Sequence, residues 1–255
     1  MLLKQGKKDN LNYYVFDNRA HAGNFAAENI VKAILSLLEE KAELNIIFAA
    51  APSQNETLAE LLQRKEIPWN RINAFHMDEY MGLPGDAPQS FGRFLGEAIF
   101  SKADFKAVHY INGNAGDIQE ECARYSKLLT EYPVDIVCLG IGENGHIAFN
   151  DPGVADFEDT QLVKPVYLDD ICRMQQVNDG CFASLEEVPV QALTLIIPAL
   201  VRAKYLFCTV PAATKRNAVN ETINGAISEN CPATIMRRHQ AAYLYCDSLS
   251  GADLL

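Results

Sequence analysis

Two short polar segments set in apolar surroundings hold the residues of this chain that could do chemistry. In Gly140-Ile-Gly-Glu-Asn-Gly-His-Ile-Ala-Phe-Asn-Asp-Pro152, an apolar run from Val134 to Leu139 reads as a buried strand and ends in Gly140-x-Gly142. Gly145 then leads directly to His146, Asn150 and Asp151. Glycines after a strand let the backbone turn sharply and leave N–H groups open to a ligand, so Gly142 and Gly145 are candidate substrate-binding positions. A histidine followed by a carboxylate supplies what a proton shuttle near neutral pH requires. The second segment, Met77-Asp-Glu-Tyr-Met-Gly-Leu83, follows the strand-like Ile72 to Met77 and places Asp78 beside Glu79. Two carboxylates behind a hydrophobic strand are costly unless paired or used. Asp78 is therefore either a base for moving a proton between adjacent carbons, held partly desolvated so that its pKa rises, or the cap of a turn. Glu79 is expected on a backbone amide or a cation.

The elements that must position these groups alternate. Tyr13–Phe16, Leu44–Ala50, Ile72–Met77, Val134–Leu139, Leu193–Ile197, Tyr205–Val210 and Ala242–Cys246 read as strands. Ala20–Glu40, Glu56–Arg64, Phe91–Phe100, Ile118–Glu131 and Thr214–Ile223 read as helices. Alternation predicts a single α/β domain over residues 1–255, Rossmann-like, with a mostly parallel sheet covered by helices on both faces. Residues 153–190 are richer in charge and turn formers and are expected to form a lid. In such sheets ligands bind beyond the carboxyl ends of the strands. Both polar segments, Ala51-Pro-Ser-Gln-Asn55 and Pro211-Ala-Ala-Thr-Lys215 all follow strands, so they should meet on one rim.

Composition narrows the partners. A net charge of −11 argues against nucleic acid, which needs a basic footprint, and means an anionic ligand requires local cations or backbone dipoles. No apolar run approaches the ~20 residues of a membrane span, and Met1–Lys8 is too short in apolar residues for a signal peptide. Seven cysteines without a C-x-x-C pair suit buried free thiols in a reducing cytoplasm. Arg237 and Arg238 read as a solvated pair.

The two polar segments together resemble the signatures of the glucosamine-6-phosphate deaminase (isomerase) family, and a weaker resemblance extends from about Asn18 to Asp247. The resemblance implies a small sugar phosphate as substrate, ring opening of a hexosamine 6-phosphate, proton transfer from C2 to C1, and release of ammonia. It assigns the carbon acid–base to Asp78 and ring opening to His146, with Asp151 and Asn144 as its partners. Ser53, Gln54, Asn55 and Lys215 would hold phosphate. No organic cofactor or metal is implied, and no local metal-ligand spacing suggests one. Departures from the family pattern are informative. Asp151 stands where glutamate is common, one methylene shorter, which predicts a change in reach of roughly 1 Å, enough to matter for rate. Asn144 can orient a ring nitrogen but cannot stabilise imidazolium as a carboxylate does. The turn at Ala50–Thr57 lacks glycine, Glu56 is unfavourable near phosphate, and no clear match remains for the family's phosphate arginine. Arg173 matches a neighbouring arginine and carries no phosphate role. Rival readings are galactosamine 6-phosphate as substrate, a 6-phosphogluconolactonase-like hydrolase, and a sugar-phosphate sensor without catalysis. The longer family members carry C-terminal extensions tied to assembly and allosteric control. Oligomeric state stays open on sequence.

Overall fold

The apolar runs are buried because each is a central strand covered on both sides, which is what a parallel sheet requires. The computed structural model describes residues 1–84 and 86–255. Its strands are β1 (Leu2–Lys8), β2 (Leu11–Phe16), β3 (Leu44–Phe48), β4 (Ile72–His76), β5 (Asp78–Tyr80), β6 (Ala107–His109), β7 (Ile136–Leu139), β8 (Val163–Tyr167), β9 (Gln191–Leu195), β10 (Tyr205–Val210) and β11 (Ala242–Asp247). Its helices are α1 (Arg19–Glu40), α2 (Asn55–Gln63), α3 (Phe91–Leu95), α4 (Ile118–Glu131), α5 (Asp170–Asn178), α6 (Ile197–Val201) and α7 (Arg216–Asn224). The main sheet runs β1-β2-β11-β10-β7-β3-β4-β6, parallel throughout except for the β1–β2 hairpin at its edge. Alternate residues of each strand enter opposite cores. Ile46, Ile136 and Phe207 pack with Ile30, Ile34 and Leu61 of α1 and α2 on one face. Ile47, Val137 and Leu206 pack with Tyr125, Leu200 and Val219 of α4, α6 and α7 on the other.

Capping accounts for where the helices begin. Asn18 accepts from the His21 amide at the start of α1, and Asp117 accepts from Gln119 and Glu120 at the start of α4. The expected helix at Phe91–Phe100 is α-helical only to Leu95 and continues as a single π turn over Gly96–Phe100.

Four features depart from the sequence reading or add to it. Leu2–Lys8 forms the edge strand β1, which the sequence reading did not include. Leu193–Ile197 is not in the main sheet: β9 pairs antiparallel with β5 and β8 in a separate three-stranded sheet. The 153–190 segment does roof the rim, but β8 anchors it to β9 through five paired positions, so it is a fixed cover joined by α5. Arg237 is buried rather than solvated, donating to Asp9 Oδ2 and to the Gly225 carbonyl. All seven cysteines are free thiols, and Cys181 is the most accessible of them.

Candidate active site

The central strands end on one rim, and each contributes a turn to a cleft there. Ala49–Ser53 follow β3, Met77 and Asp78 follow β4, Gly140–Gly142 and His146 follow β7, and Pro211, Ala212 and Lys215 follow β10. Phe91 from α3, Gln175 and Gln176 from α5, and Asp179 at the end of that helix close the sides. The connections of β3 and β7 leave in opposite directions, toward β4 and toward β10, so the crevice forms where the strand order reverses.

Asp78 arrives by a change of sheet. His76 ends β4, and Asp78 opens β5 opposite Thr194 of the small sheet. The step between them is fixed by His76, which donates from Nδ1 to the Asp78 carbonyl (2.9 Å) and accepts at Nε2 from the Ile111 amide (2.8 Å). Burial pushes the His76 pKa down to about 4, so it stays neutral in both contacts. Burial pushes the Asp78 carboxyl well above the usual carboxylate range, and the charge of neighbouring Glu79 adds to the effect. Glu79 itself points away from the cleft. Its carboxylate accepts from the amides of Tyr80 (3.0 Å), Phe91 (3.0 Å) and Gly92 (2.8 Å) and from Ser90 Oγ (3.2 Å), capping α3 as expected of a carboxylate on backbone amides.

His146 is held by an amide and a carboxylate together. Its Nδ1 lies 2.8 Å from Asn144 Oδ1 and 2.8 Å from Asp151 Oδ1. Two oxygens on one ring nitrogen require the proton on Nδ1 and leave Nε2 for chemistry. The expected shortfall in the reach of Asp151 does not occur: the backbone of the 146–151 turn brings the shorter side chain into contact. Burial opposes the charge on Asp151, but hydrogen bonds from His146, Asn144 and the Asp169 amide outweigh it and hold the pKa below the ordinary value. Asn144 has a second task that the sequence does not reveal. Its Nδ2 donates to Asp151 Oδ1 (3.0 Å) and to Asp169 Oδ2 (3.2 Å), joining two acids that would otherwise repel. Asn144→Asp would put three carboxylates side by side. It should lower stability by about 1–3 kcal/mol in urea unfolding at neutral pH, the cost of an unpaired buried charge.

The glycines shape the loop, and the amides of both are engaged within it. The Gly142 N–H donates to the His146 carbonyl (2.9 Å), and the Gly145 N–H donates to the Gly142 carbonyl (3.0 Å). A Cβ on Gly142 would lie 2.2 Å from the imidazole, so this position must be bare for His146 to occupy its place. Gly145 has φ +87° and would meet Cys231 Sγ at 2.6 Å.

Of the four residues expected to hold phosphate, Lys215 and Ser53 line the cleft, whereas Gln54 and Asn55 do not. Gln54 is buried and donates from Nε2 to Ser53 Oγ (3.0 Å) and to the Thr209 carbonyl (3.1 Å), tying the turn to β10. Asn55 is an exposed first residue of α2. Among the described residues, Lys215 Nζ is buried without a hydrogen-bond partner, and Lys215 lines the open cleft. Burial lowers its pKa, while Asp179 and Glu143 act to raise it. Sequence reading missed Arg19, from the first turn of α1, which also lines the cleft. Its guanidinium donates to the Pro52 carbonyl (2.8 Å) and to Glu56 (2.8 Å), so Glu56 is neutralised rather than turned toward a ligand. No sequence signal marks Arg19, because it is set beside the turn only when β2 and β3 take their places in the sheet. Gln175 and Gln176 of α5 were missed for the same reason.

The model of the family described as glucosamine-6-phosphate isomerases/6-phosphogluconolactonase matches residues 17–245. A glucosamine-6-phosphate deaminase of Listeria monocytogenes serotype 4a is 35% identical over 239 residues, covering 94% of this chain and 97% of the relative. One of Bacillus thuringiensis is 35% identical over 221 residues, covering 87% and 82%. Among solved structures, a monomeric glucosamine-6-phosphate deaminase superposes with a TM-score of 0.85 at 29% identity, covering 95% of this chain and 99% of that one. A 6-phosphogluconolactonase from Thermotoga maritima, at 24% identity, shares the fold with a TM-score of 0.75 over 93% and 99% of the two chains. This chain belongs to the glucosamine-6-phosphate isomerase/6-phosphogluconolactonase family.

Proposed function

We propose that this chain is a hexosamine-6-phosphate deaminase that works as one domain, with glucosamine 6-phosphate as its substrate. The observation that carries the reading is the convergence of three groups on one cleft: a buried Asp78 carboxyl, the His146 imidazole and the unpaired Lys215 ammonium. Lys215, the Ser53 hydroxyl and the Arg19 guanidinium hold the phosphate. His146 Nε2 takes the proton of the anomeric hydroxyl and returns one to the ring oxygen, while the Asp151 carboxylate stabilises the intermediate imidazolium and Asn144 orients the ring. Asp78 removes the C2 proton of the open-chain aldehyde and delivers it to C1. The resulting C2 imine takes up water and releases ammonia, leaving the ketose 6-phosphate. Every step is a proton transfer or an addition of water, so side chains suffice. A soluble, cytoplasmic setting fits free buried thiols, and a sugar phosphate is the small-molecule partner.

Turnover in heavy water tests the reading. Ammonia release with deuterium at C2 of recovered substrate supports it. A lactonase would hydrolyse 6-phosphogluconolactone without a carbon base, and a sensor would bind without exchange. Running glucosamine and galactosamine 6-phosphates side by side fixes the C4 preference.

Lys215→Met tests the anion end. Loss of one charge-assisted contact of about 1.5–3 kcal/mol should raise KM roughly 10- to 150-fold with kcat nearly unchanged. The same variant should unfold at higher temperature at pH 7. Burial lowers the folded pKa of Lys215, so its charged form costs stability at every pH below that pKa. A large fall in kcat at saturating substrate would count against the assignment.

A further inference from the structure

Cys172 has no part in the chemistry above, yet it is fully buried against the group that holds His146. It lies in the first turn of α5, where the Asp169 carboxylate caps its amide at 2.6 Å. The other oxygen of Asp169 accepts from Asn144, so helix and catalytic loop are braced together. One ligand atom each from His146, Asp151 and Cys172 lie within 4.8 Å of one another. We infer that His146, Asp151 and Cys172 form a site for a thiophilic divalent cation of the zinc class, whose occupation inhibits the enzyme.

The donor set argues for this class of ion. Zinc takes imidazole nitrogen, thiolate sulfur and carboxylate oxygen at ~2.0–2.3 Å in a tetrahedron, and three protein ligands with one open position are a common arrangement. Donors around such an ion stand ~3.3–3.8 Å apart, so closing this cluster takes a movement of about 1 Å. The thiolate excludes magnesium and calcium, which prefer oxygen alone. Asn144 Oδ1, 2.8 Å from His146 Nδ1, or a water could complete the shell. Access is through the cleft, because His146 lines it. The step balances without oxidant or reductant: the cation bonds to nitrogen, oxygen and sulfur, the thiol proton passes to solvent, and the single ring proton is carried by the imidazole nitrogen that does not bind the metal. An imidazole bound to the metal loses its hydrogen bond to Asp151 and can no longer cycle a proton. The inhibition, though not the binding, rests on the function proposed above.

The metal-free chain titrated with ZnCl2 in a calorimeter should bind one ion, and glucosamine 6-phosphate turnover should fall in step and recover with EDTA. MgCl2 should do neither. Co2+ should give a thiolate-to-cobalt absorption band. Cys172→Ser should remove that band and weaken zinc binding at least tenfold, whereas Cys181→Ser, at the more accessible thiol, should change neither. Absence of a thiolate band in the wild-type chain overturns the site even if the variant fails to fold. Equal zinc affinity in Cys172→Ser and wild type also overturns it. Zinc binding through Cys172 with undiminished turnover overturns the inhibition. A chain that binds zinc through Cys172 but turns over no hexosamine phosphate supports the site and refutes the proposed function, so the two failures are distinct.

Discussion

Asp78→Asn should stop deuterium from entering C2 of glucosamine 6-phosphate and lower turnover about 10²–10⁴-fold, the range expected when a positioned general base is lost. The amide keeps the shape of the side chain but cannot accept the carbon proton. Its KM should change little, because the phosphate is proposed to be held by Lys215, Ser53 and Arg19 rather than by Asp78. In the wild type, the acid limb of kcat should fall well above the ordinary aspartate range, because burial and Glu79 raise the carboxyl pKa. Stability should move the opposite way. A carboxyl whose folded pKa lies above its unfolded value favours folding at low pH and loses that contribution as pH rises through the folded pKa. At neutral pH the ionised Asp78 therefore costs stability, and Asp78→Asn should melt higher, by ~2–4 °C for each kcal/mol relieved. A variant that is both slower and less stable would point to a turn-capping residue instead.

His146→Gln should lower turnover by a similar factor of about 10²–10⁴, but through a different step. If proton removal at C2 limits the wild type, substrate deuterated at C2 turns over more slowly. In His146→Gln ring opening becomes limiting, and that isotope effect should collapse toward unity. Glutamine fits the space because Gly142 has no Cβ, and it can still reach Asp151. A loss below tenfold, or an isotope effect that persists, would exclude His146 from ring opening.

How much of the site was legible follows from how far apart its parts lie along the chain. Asp78 with Glu79, and Asn144, His146 and Asp151, are local clusters, and their spacing marked them as candidates. The reach of Asp151 and the second bond of Asn144 did not, because both depend on the conformation of the turn and on Asp169 from another element. The anion end was read with mixed success. Lys215 was legible as a cation in an unfavourable place, but Gln54 was assigned to the ligand when it in fact ties two strands together. Arg19 was invisible, since nothing near it in sequence marks a cleft.

The sequence by itself determined the alternation of strands and helices, the burial of the central strands and the clustering of the candidate proton-transfer groups, because periodicity and local spacing carry that information. The tertiary structure alone decided that β5, β8 and β9 leave the main sheet, that α5 covers the rim, and that Arg19, Gln175 and Cys172 stand beside the catalytic loop. Those facts rest on long-range pairing, which depends on how whole elements pack and leaves no periodic trace in the residues themselves.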